Sequence, residues 1–275
     1  MGHGRKLKSL EDYQRALKGK YGIGEGSSYK PWLRIQDVKS KGKRSLIYGR
    51  KSRRDHHMMS SIESEYFYLA EFSNNVLDIR EQFPLLPLNF TQKIAKNLGV
   101  EHPKHPETKE PIIMTTDQLL TIDSPQGKTY HAVSVKPEKD SDNRRVLEKI
   151  DIERVCWELL GVKFRYFTGN ELTRIQSSNL RWATSPFRES AMSFSCEQID
   201  HALCETAVGQ FFIEDLCNRL ISLEIASNED ALLLIRYLIA EKLIDVDLSV
   251  NIPESGLIDI KFVTQSSREN LYGAS

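Results

Sequence analysis

Four cysteines in 275 residues, none in a C-x-x-C pair, leave little material for a disulfide framework or a zinc knuckle. The set Cys196, His201, Cys204 and Cys217 lacks zinc-site spacing, so free thiols, buried and reduced, are the expectation, and with them a cytoplasmic location. No apolar run approaches the roughly 18 residues of a membrane helix. The polar stretch GHGRKLKSLED does not read as a secretory signal, so no membrane partner is expected. Gly22, Gly24 and Gly26 follow no strand, which argues against a phosphate-cradling loop. Net charge is also missing, at zero overall. It is unevenly spread: residues 172–275 carry 8 Lys and Arg against 15 Asp and Glu, leaving 30 against 23 in residues 1–171. A basic half joined to an acidic half suggests nucleic acid for the first and a protein partner for the second.

What is present is 40% hydrophobic and 28% charged, the composition of a globular chain with room for two domains. After a short helix capped by Ser9 comes the most basic stretch, KSKGKRSLIYGRKSRRDHH. It reads as a hairpin with a strand over 45–48 and a turn over 49–52. Lys41, Lys43, Arg44, Arg50, Lys51, Arg53 and Arg54 suit phosphate contacts without base specificity. A solvated hairpin that protects a sheet edge is the alternative. A helix over 61–73 follows, with Ser60 as N-cap, then a strand over 76–83 and a helix over 91–98. His102 and His105 lie in a Pro-rich loop that reads as polar surface.

The stretch MTTDQLLTIDSPQGKTYHAVSVKP reads as two strands joined by a turn at 124–127. That turn pairs Asp123 with Lys128, and therefore Asp117 with Ser134. Residues opposite each other share a face, and Lys136 shares it too, while Val133 and Val135 face a core. An acid on one strand facing an x-x-Lys ending on the next, with a Glu on an earlier helix, is how metal-dependent nucleases build their sites. The helical acid is Glu63. It lies three residues after Ser60, where a capping box would put it, but it shares an inward face with Phe67 and Ala70. A long helix capped by Asp142 and stopped by Gly161 carries the apolar stripe Val146, Ile150, Trp157, Leu160. Glu153 sits inside that stripe, where a carboxylate needs a partner. A strand over 162–168 closes an α/β domain with a central mixed sheet.

Residues 171–275 read as mainly helical, with helices over 197–206, 210–223 and 229–242, the last capped by Ser227 or Asn228. Two strands over 244–250 and 257–263 follow around a turn at 253–256, and the polar tail from Thr264 is expected to fray. Three helices before a β-hairpin resemble a winged helix. The third helix offers only Arg236 and Lys242 as cations, so a protein-docking role fits better than DNA reading.

The run YKPWLRIQDV…RSLIYGRKSRRDHHMMSSIES…VLDIREQFPLLP…MTTDQLL…VKP…LEKIDIERVCW resembles TnsA, the endonuclease subunit of heteromeric bacterial transposases, over most of residues 28–168. The resemblance implies a restriction-endonuclease-like fold for residues 1–170. It places the helical acid on Glu63, the strand acid on Asp117, the lysine on Lys136 and a nearby helical glutamate on Glu153. The family pattern has Gln two residues before the lysine, where this chain has Ser134, a poorer metal ligand. Ser134 then acts through a water, or coordination passes to the Val135 carbonyl. Mg²⁺, with Mn²⁺ as substitute, is the implied cofactor, held by Glu63, Asp117, Ser134 and Val135. Attack on a phosphodiester gives a 5′-phosphate and a 3′-hydroxyl. The implied partners are double-stranded DNA at transposon ends, a TnsB-like transposase, and a TnsC-like AAA+ ATPase met through the C-terminal part, all at the bacterial nucleoid. A stand-alone restriction or repair nuclease, and a catalytically idle DNA-binding assembly subunit, are the alternative readings.

Overall fold

Apolar residues that run together mark strands buried on both faces, as in most of the two strands Val76–Pro84 and Thr115–Ser124 at the centre of the first unit. The computed structural model describes residues 4–38, 42–187 and 194–265. They divide into two units, Met1–Gly169 and Asn170–Ser275.

The first unit opens with α1 (Leu10–Lys18), whose first turn is closed by the Ser9 side chain accepting from the Asp12 amide. Strands β1 (Ser45–Gly49) and β2 (Arg54–Met58) form a two-stranded antiparallel hairpin. Then come α2 (Ser61–Phe72), β3 (Val76–Pro84), α3 (Leu88–Asn97), β4 (Thr115–Ser124), β5 (Gly127–Val135), α4 (Arg144–Leu159) and β6 (Lys163–Phe167). The main sheet has the order β3-β4-β5-β6. Its first three strands are antiparallel and β6 runs parallel to β5, giving the mixed sheet expected from the sequence. On one face Ile79, Leu120, Val133 and Val135 pack with Phe67 and Ala70 of α2. On the other, Leu119 and Ala132 pack with Ile94 of α3 and Ile152, Cys156 and Trp157 of α4. Burial of each such large side chain contributes roughly 1.5–3 kcal/mol.

Three local expectations need correction. Helix α4 is capped by Asn143, whose side chain accepts from the amides of Arg145 and Val146, not by Asp142. Its inner stripe is Ile150, Ile152, Glu153, Cys156 and Trp157, while Leu160 is 55% exposed beyond the helix end. His102 is buried, with its ring against the Thr91 hydroxyl and the Pro103 carbonyl, and so belongs to packing instead of a polar surface.

The basic hairpin is tied down by a buried charge cluster. The Glu81 carboxylate, fully buried on β3, takes two bonds from the Arg54 guanidinium (2.8 and 2.6 Å) and one from the His57 amide (3.1 Å). It also meets His56 Nδ1 at 2.8 Å. Burial alone raises a carboxyl pKa, yet His56 and Arg54 overrule it and hold Glu81 well below the usual range. Breaking such a cluster from one side leaves a buried guanidinium without a counter-charge.

The second unit contains α5 (Glu171–Thr184), α6 (Cys196–Cys204), β7 (Gly209–Phe212), α7 (Ile213–Ser222), α8 (Ala231–Ala240), β8 (Ile244–Val246), α9 (Ile252–Ser255) and β9 (Leu257–Val263). The three strands form an antiparallel sheet of order β7-β9-β8 over a core that includes Leu234, Leu238, Ile258 and Ile260. Helix α5 has no counterpart in the sequence reading, and residues 210–212 are strand where helix is expected. The N-cap of α8 is Asp230, with the Ser227 hydroxyl accepting from the Asp230 amide. Cys196 and Cys204 are exposed, against the expectation of buried thiols; Cys156 alone of the four is fully enclosed. Thr264 still donates its amide to the Leu243 carbonyl, and residues 266–275 of the expected frayed tail lie outside the described residues. Among the described residues no helix is long and apolar enough to cross a membrane.

Glu81→Ala is expected to destabilise the first unit by about 3–5 kcal/mol, the cost of leaving one partner of a buried ion pair behind. Chemical denaturation of the variant checks this, and a loss below ~1 kcal/mol would show that the clamp is not what holds the hairpin.

Candidate active site

The site is built where β4 begins and β5 ends, with acids brought to it by α2 and α4. The tight Pro125-Gln126 turn pairs Ser124 with Gly127 and Asp123 with Lys128, and the ladder runs on to Gln118 opposite Val133. Asp117 therefore stands across from Ser134. Its Oδ2 accepts the Val135 amide at 2.7 Å and also contacts the Lys136 ammonium. The same ammonium donates to the Val135 carbonyl at 2.9 Å. One aspartate oxygen thus fixes both the strand end and the lysine.

Glu63 arrives from the first turn of α2. The Ser60 hydroxyl accepts from the Glu63 amide, which starts the helix, and donates back to Glu63 Oε1 at 2.8 Å. Met59 donates its amide to Oε2 at 3.0 Å, and the Gln82 side-chain amide reaches the same oxygen at 3.4 Å. Gln118 donates its side-chain amide to the Glu63 backbone carbonyl at 2.9 Å, pinning this turn onto β4. Glu63 is 6% exposed. Helix-start bonding and an inward orientation are both true of it.

Glu153 projects from α4 and is 5% exposed. Trp157, one turn further on, donates its indole N–H to the Thr116 hydroxyl at 2.6 Å and ties that face of α4 to β4. Glu153 Oε1 and Ser134 Oγ are both buried without a well-formed hydrogen bond, although the Thr116 and Ser134 hydroxyls lie near enough to Glu153 to favour its charged form. Buried polar atoms left in this way cost stability unless a ligand or water completes them.

The carboxyls hold protons far above their ordinary range. Burial, and then the charge of Asp117, push Glu63 up to about 7 and Glu153 up to about 8. Burial disfavours the Lys136 ammonium, but Asp117, Glu153 and Glu63 reverse that and raise its pKa. Three acids around one base is a site short of positive charge.

The residues fit a hard divalent cation. The Lys136 ammonium already bridges Asp117 Oδ2 and the Val135 carbonyl, two oxygens that such an ion favours. The orphaned Ser134 and Glu153 oxygens lie beside them. Among the described residues no three His, Cys, Asp or Glu side chains converge on one point. A hard divalent ion such as Mg²⁺ keeps several waters and needs only one or two carboxylates. The zinc arrangement of Cys196, His201, Cys204 and Cys217 is likewise not formed.

The expected DNA-contacting cations divide by placement. Lys43 and Arg53 are exposed and Arg50 is half-buried. Arg44 is exposed, with its guanidinium donating to the Ile35 and Val38 carbonyls. Lys51 turns its ammonium to the Ser73 and Val76 carbonyls. Arg54 is committed to Glu81, Ile79 and Gly26 with its side chain 9% exposed, so it is a clamp, not a phosphate contact. Lys41 lies outside the described residues. Sequence reasoning missed Gln82 and Glu81; the signal available was a polar Arg-Glu-Gln run inside an otherwise apolar strand.

A strand acid and lysine on paired strands, flanked by two helical acids, define a class that comparison with known proteins makes explicit. Residues 73–169 match the family described as TnsA-like endonuclease N terminal. The relative in question is the transposon Tn7 transposition protein TnsA of Escherichia coli, 37% identical over 171 residues. That match covers 62% of this chain and 61% of the relative, so less than two thirds of that protein is spanned. The resemblance to TnsA read from the sequence therefore holds, and Asp117, Ser134, Lys136 and Glu153 fall inside the family match.

The raised carboxyls fix a pH dependence. With pKa values of about 7 and about 8 against an ordinary 4.5, the folded chain holds protons that the unfolded chain has lost. Stability from these groups is full below the unfolded value and falls as pH climbs towards 8. The melting temperature of metal-free protein should drop across that window, and Glu63→Gln with Glu153→Gln should flatten the drop. Added Mg²⁺ should raise the melting temperature more at high pH than at low, since binding releases the protons. A slope unchanged in the double variant would remove these two acids as its source.

Proposed function

We propose that this chain is a Mg²⁺-dependent DNA endonuclease subunit of a heteromeric transposase. It cuts the non-transferred strand at the 5′ ends of the element during cut-and-paste transposition. The observation that carries the reading is the Asp117–Lys136–Val135 junction, which with Glu153 lies inside the stretch that matches TnsA-like endonucleases and is flanked on the α2 side by Glu63.

The metal, when bound, supplies Lewis acidity and neutralises charge on the phosphate. Asp117 and the Val135 carbonyl would hold it, with Glu63 on the α2 side and Ser134 through its buried hydroxyl. Lys136, released from its bridge, orients the attacking water and offsets the charge that develops on the phosphodiester. With a cation held there, Glu63 and Glu153 would stand in their charged forms, their protons released to solvent. The products are a 5′-phosphate and a 3′-hydroxyl.

A restriction-endonuclease-like architecture for the first unit is supported by its mixed sheet and the placement of these acids. For the second unit, helices α6, α7 and α8 with the β7-β9-β8 sheet support a winged-helix-like docking module. Its acidic balance favours a protein partner, a TnsC-like AAA+ regulator, over DNA. Lys43, Arg50 and Arg53 on the hairpin carry no base-reading geometry, so the choice of transposon end falls to a TnsB-like transposase. The whole assembly works in the bacterial cytoplasm, at the nucleoid.

Strand-specific cleavage of end-labelled transposon-end DNA tests this, with the chain alone, with its partner transposase, and with variants. Cuts at the 5′ ends that need partner and Mg²⁺ are expected. They should fall by about 10³-fold or more in Asp117→Ala and by roughly 10²–10³-fold in Lys136→Ala. Efficient cutting by the chain alone would establish a free-standing nuclease instead. No cutting with partner binding intact would make the chain an idle assembly subunit, with Ser134 as the mark of a decayed site.

A further inference from the structure

Among the described residues six that are not glycine adopt positive φ: Lys20, Arg53, Gln82, Lys109, Glu224 and Lys242. Five of them follow helix ends or lie in turns and loops, and are exposed or half-buried. Gln82 differs. It has φ +47°, lies inside β3, and is 3% exposed. A buried left-handed side chain within a strand is a strained arrangement that persists only where its surroundings impose it, and such strain gathers at functional sites.

The surroundings can be named. The register sets Glu81 opposite Gln118 and Phe83 opposite Thr116, so Gln82 stands across from Asp117. Its backbone carbonyl accepts the amide of the buried Trp32 at 3.2 Å, from the segment before the hairpin. Its side-chain oxygen accepts the Thr115 hydroxyl at 2.9 Å. The nitrogen donates to Glu63 Oε2 at 3.4 Å, the end of the amide that a carboxylate oxygen calls for.

A carboxylate has about four acceptor positions. Met59 and Gln82 occupy both on Oε2, and Ser60 takes one on Oε1. One position, on Oε1, remains for anything entering the site.

We infer that Gln82 is a positioning residue: its left-handed backbone aims the side-chain amide at Glu63, so that this acid meets the site through a single oxygen, Oε1. The inference rests on the nuclease reading above. The strain is then the cost of turning a strand residue out of its alternation and onto the acid beside it. Nothing in β3 as a strand requires it, since any extended residue there would complete the sheet.

Two substitutions separate positioning from structure. Asn accepts the left-handed backbone but is one methylene too short to span Thr115 and Glu63. Gly removes the strain and the amide together. Full-length Gln82→Asn and Gln82→Gly are compared with wild type in three measurements: melting temperature, Mg²⁺ affinity by titration calorimetry, and cleavage of transposon-end DNA with the partner transposase. Gln82→Gly, whose relieved backbone offsets the lost amide bonds, should melt near the wild-type temperature and Gln82→Asn somewhat below it, while both lose roughly 10–100-fold in cleavage, with a weaker apparent Mg²⁺ affinity. A variant that cuts and binds Mg²⁺ like wild type overturns the inference and leaves the nuclease reading intact. Activity lost in step with a lower melting temperature in both variants overturns it too, assigning Gln82 to the fold. Wild type that cuts under no condition overturns the nuclease reading itself, and the positioning role falls with it.

Discussion

The contact between Asp117 Oδ2 and the end of β5 is the constraint on which the rest of the first unit turns. A single oxygen takes the Val135 amide and the Lys136 ammonium, and so couples the register of a β-hairpin to the placement of a charge. Slipping that register by one residue would move Asp117 to the opposite face and set an aspartate against Phe67 and Val133. The two-residue turn at Pro125-Gln126 excludes the slip. Helices α2 and α4 then have only to bring one acid each to a point already fixed, through Gln118 on the Glu63 carbonyl and Trp157 on Thr116.

Electrostatics explains why the arrangement is poised and not collapsed. Three acids and one lysine cannot all be charged in a buried space without penalty, and the protein meets this by leaving Glu63 and Glu153 protonated near neutrality. Elsewhere it takes the opposite course. Glu81 is just as buried, yet Arg54 and His56 keep it ionised. The two kinds of buried glutamate have different work: one is saturated and holds a hairpin, the other pair is unsaturated and can take a cation.

Much of this was legible in the residues. The hairpin spacing placed Asp117 opposite Ser134, and helical spacing turned Glu63 and Glu153 inward, because periods of 2.0 and 3.6 are properties of the backbone. Helix α5 was not legible, since its buried face includes Ser177 and Asn179 and hides the apolar period. Asn179 is there to bond the Leu248 and Val250 carbonyls, a partnership 69 and 71 residues away that no local pattern carries. Gln82 was hidden for a related reason: a left-handed residue inside a strand contradicts propensity, and only its neighbours account for it. The stripe of α4 was misplaced because Ile152 and Cys156 answer to α3 and the sheet together.

The path from β2 into α2 has a mechanical consequence. Glu81 grips Arg54, His56 and the His57 amide, and two residues later the Met59 amide holds Glu63. The hairpin and the acid are therefore ends of one short, stiff lever whose fulcrum is a buried carboxylate. The outer turn, where Arg50 and Arg53 sit, is thus joined to the amide that holds Glu63 by the single strand β2, which Glu81 anchors to the main sheet.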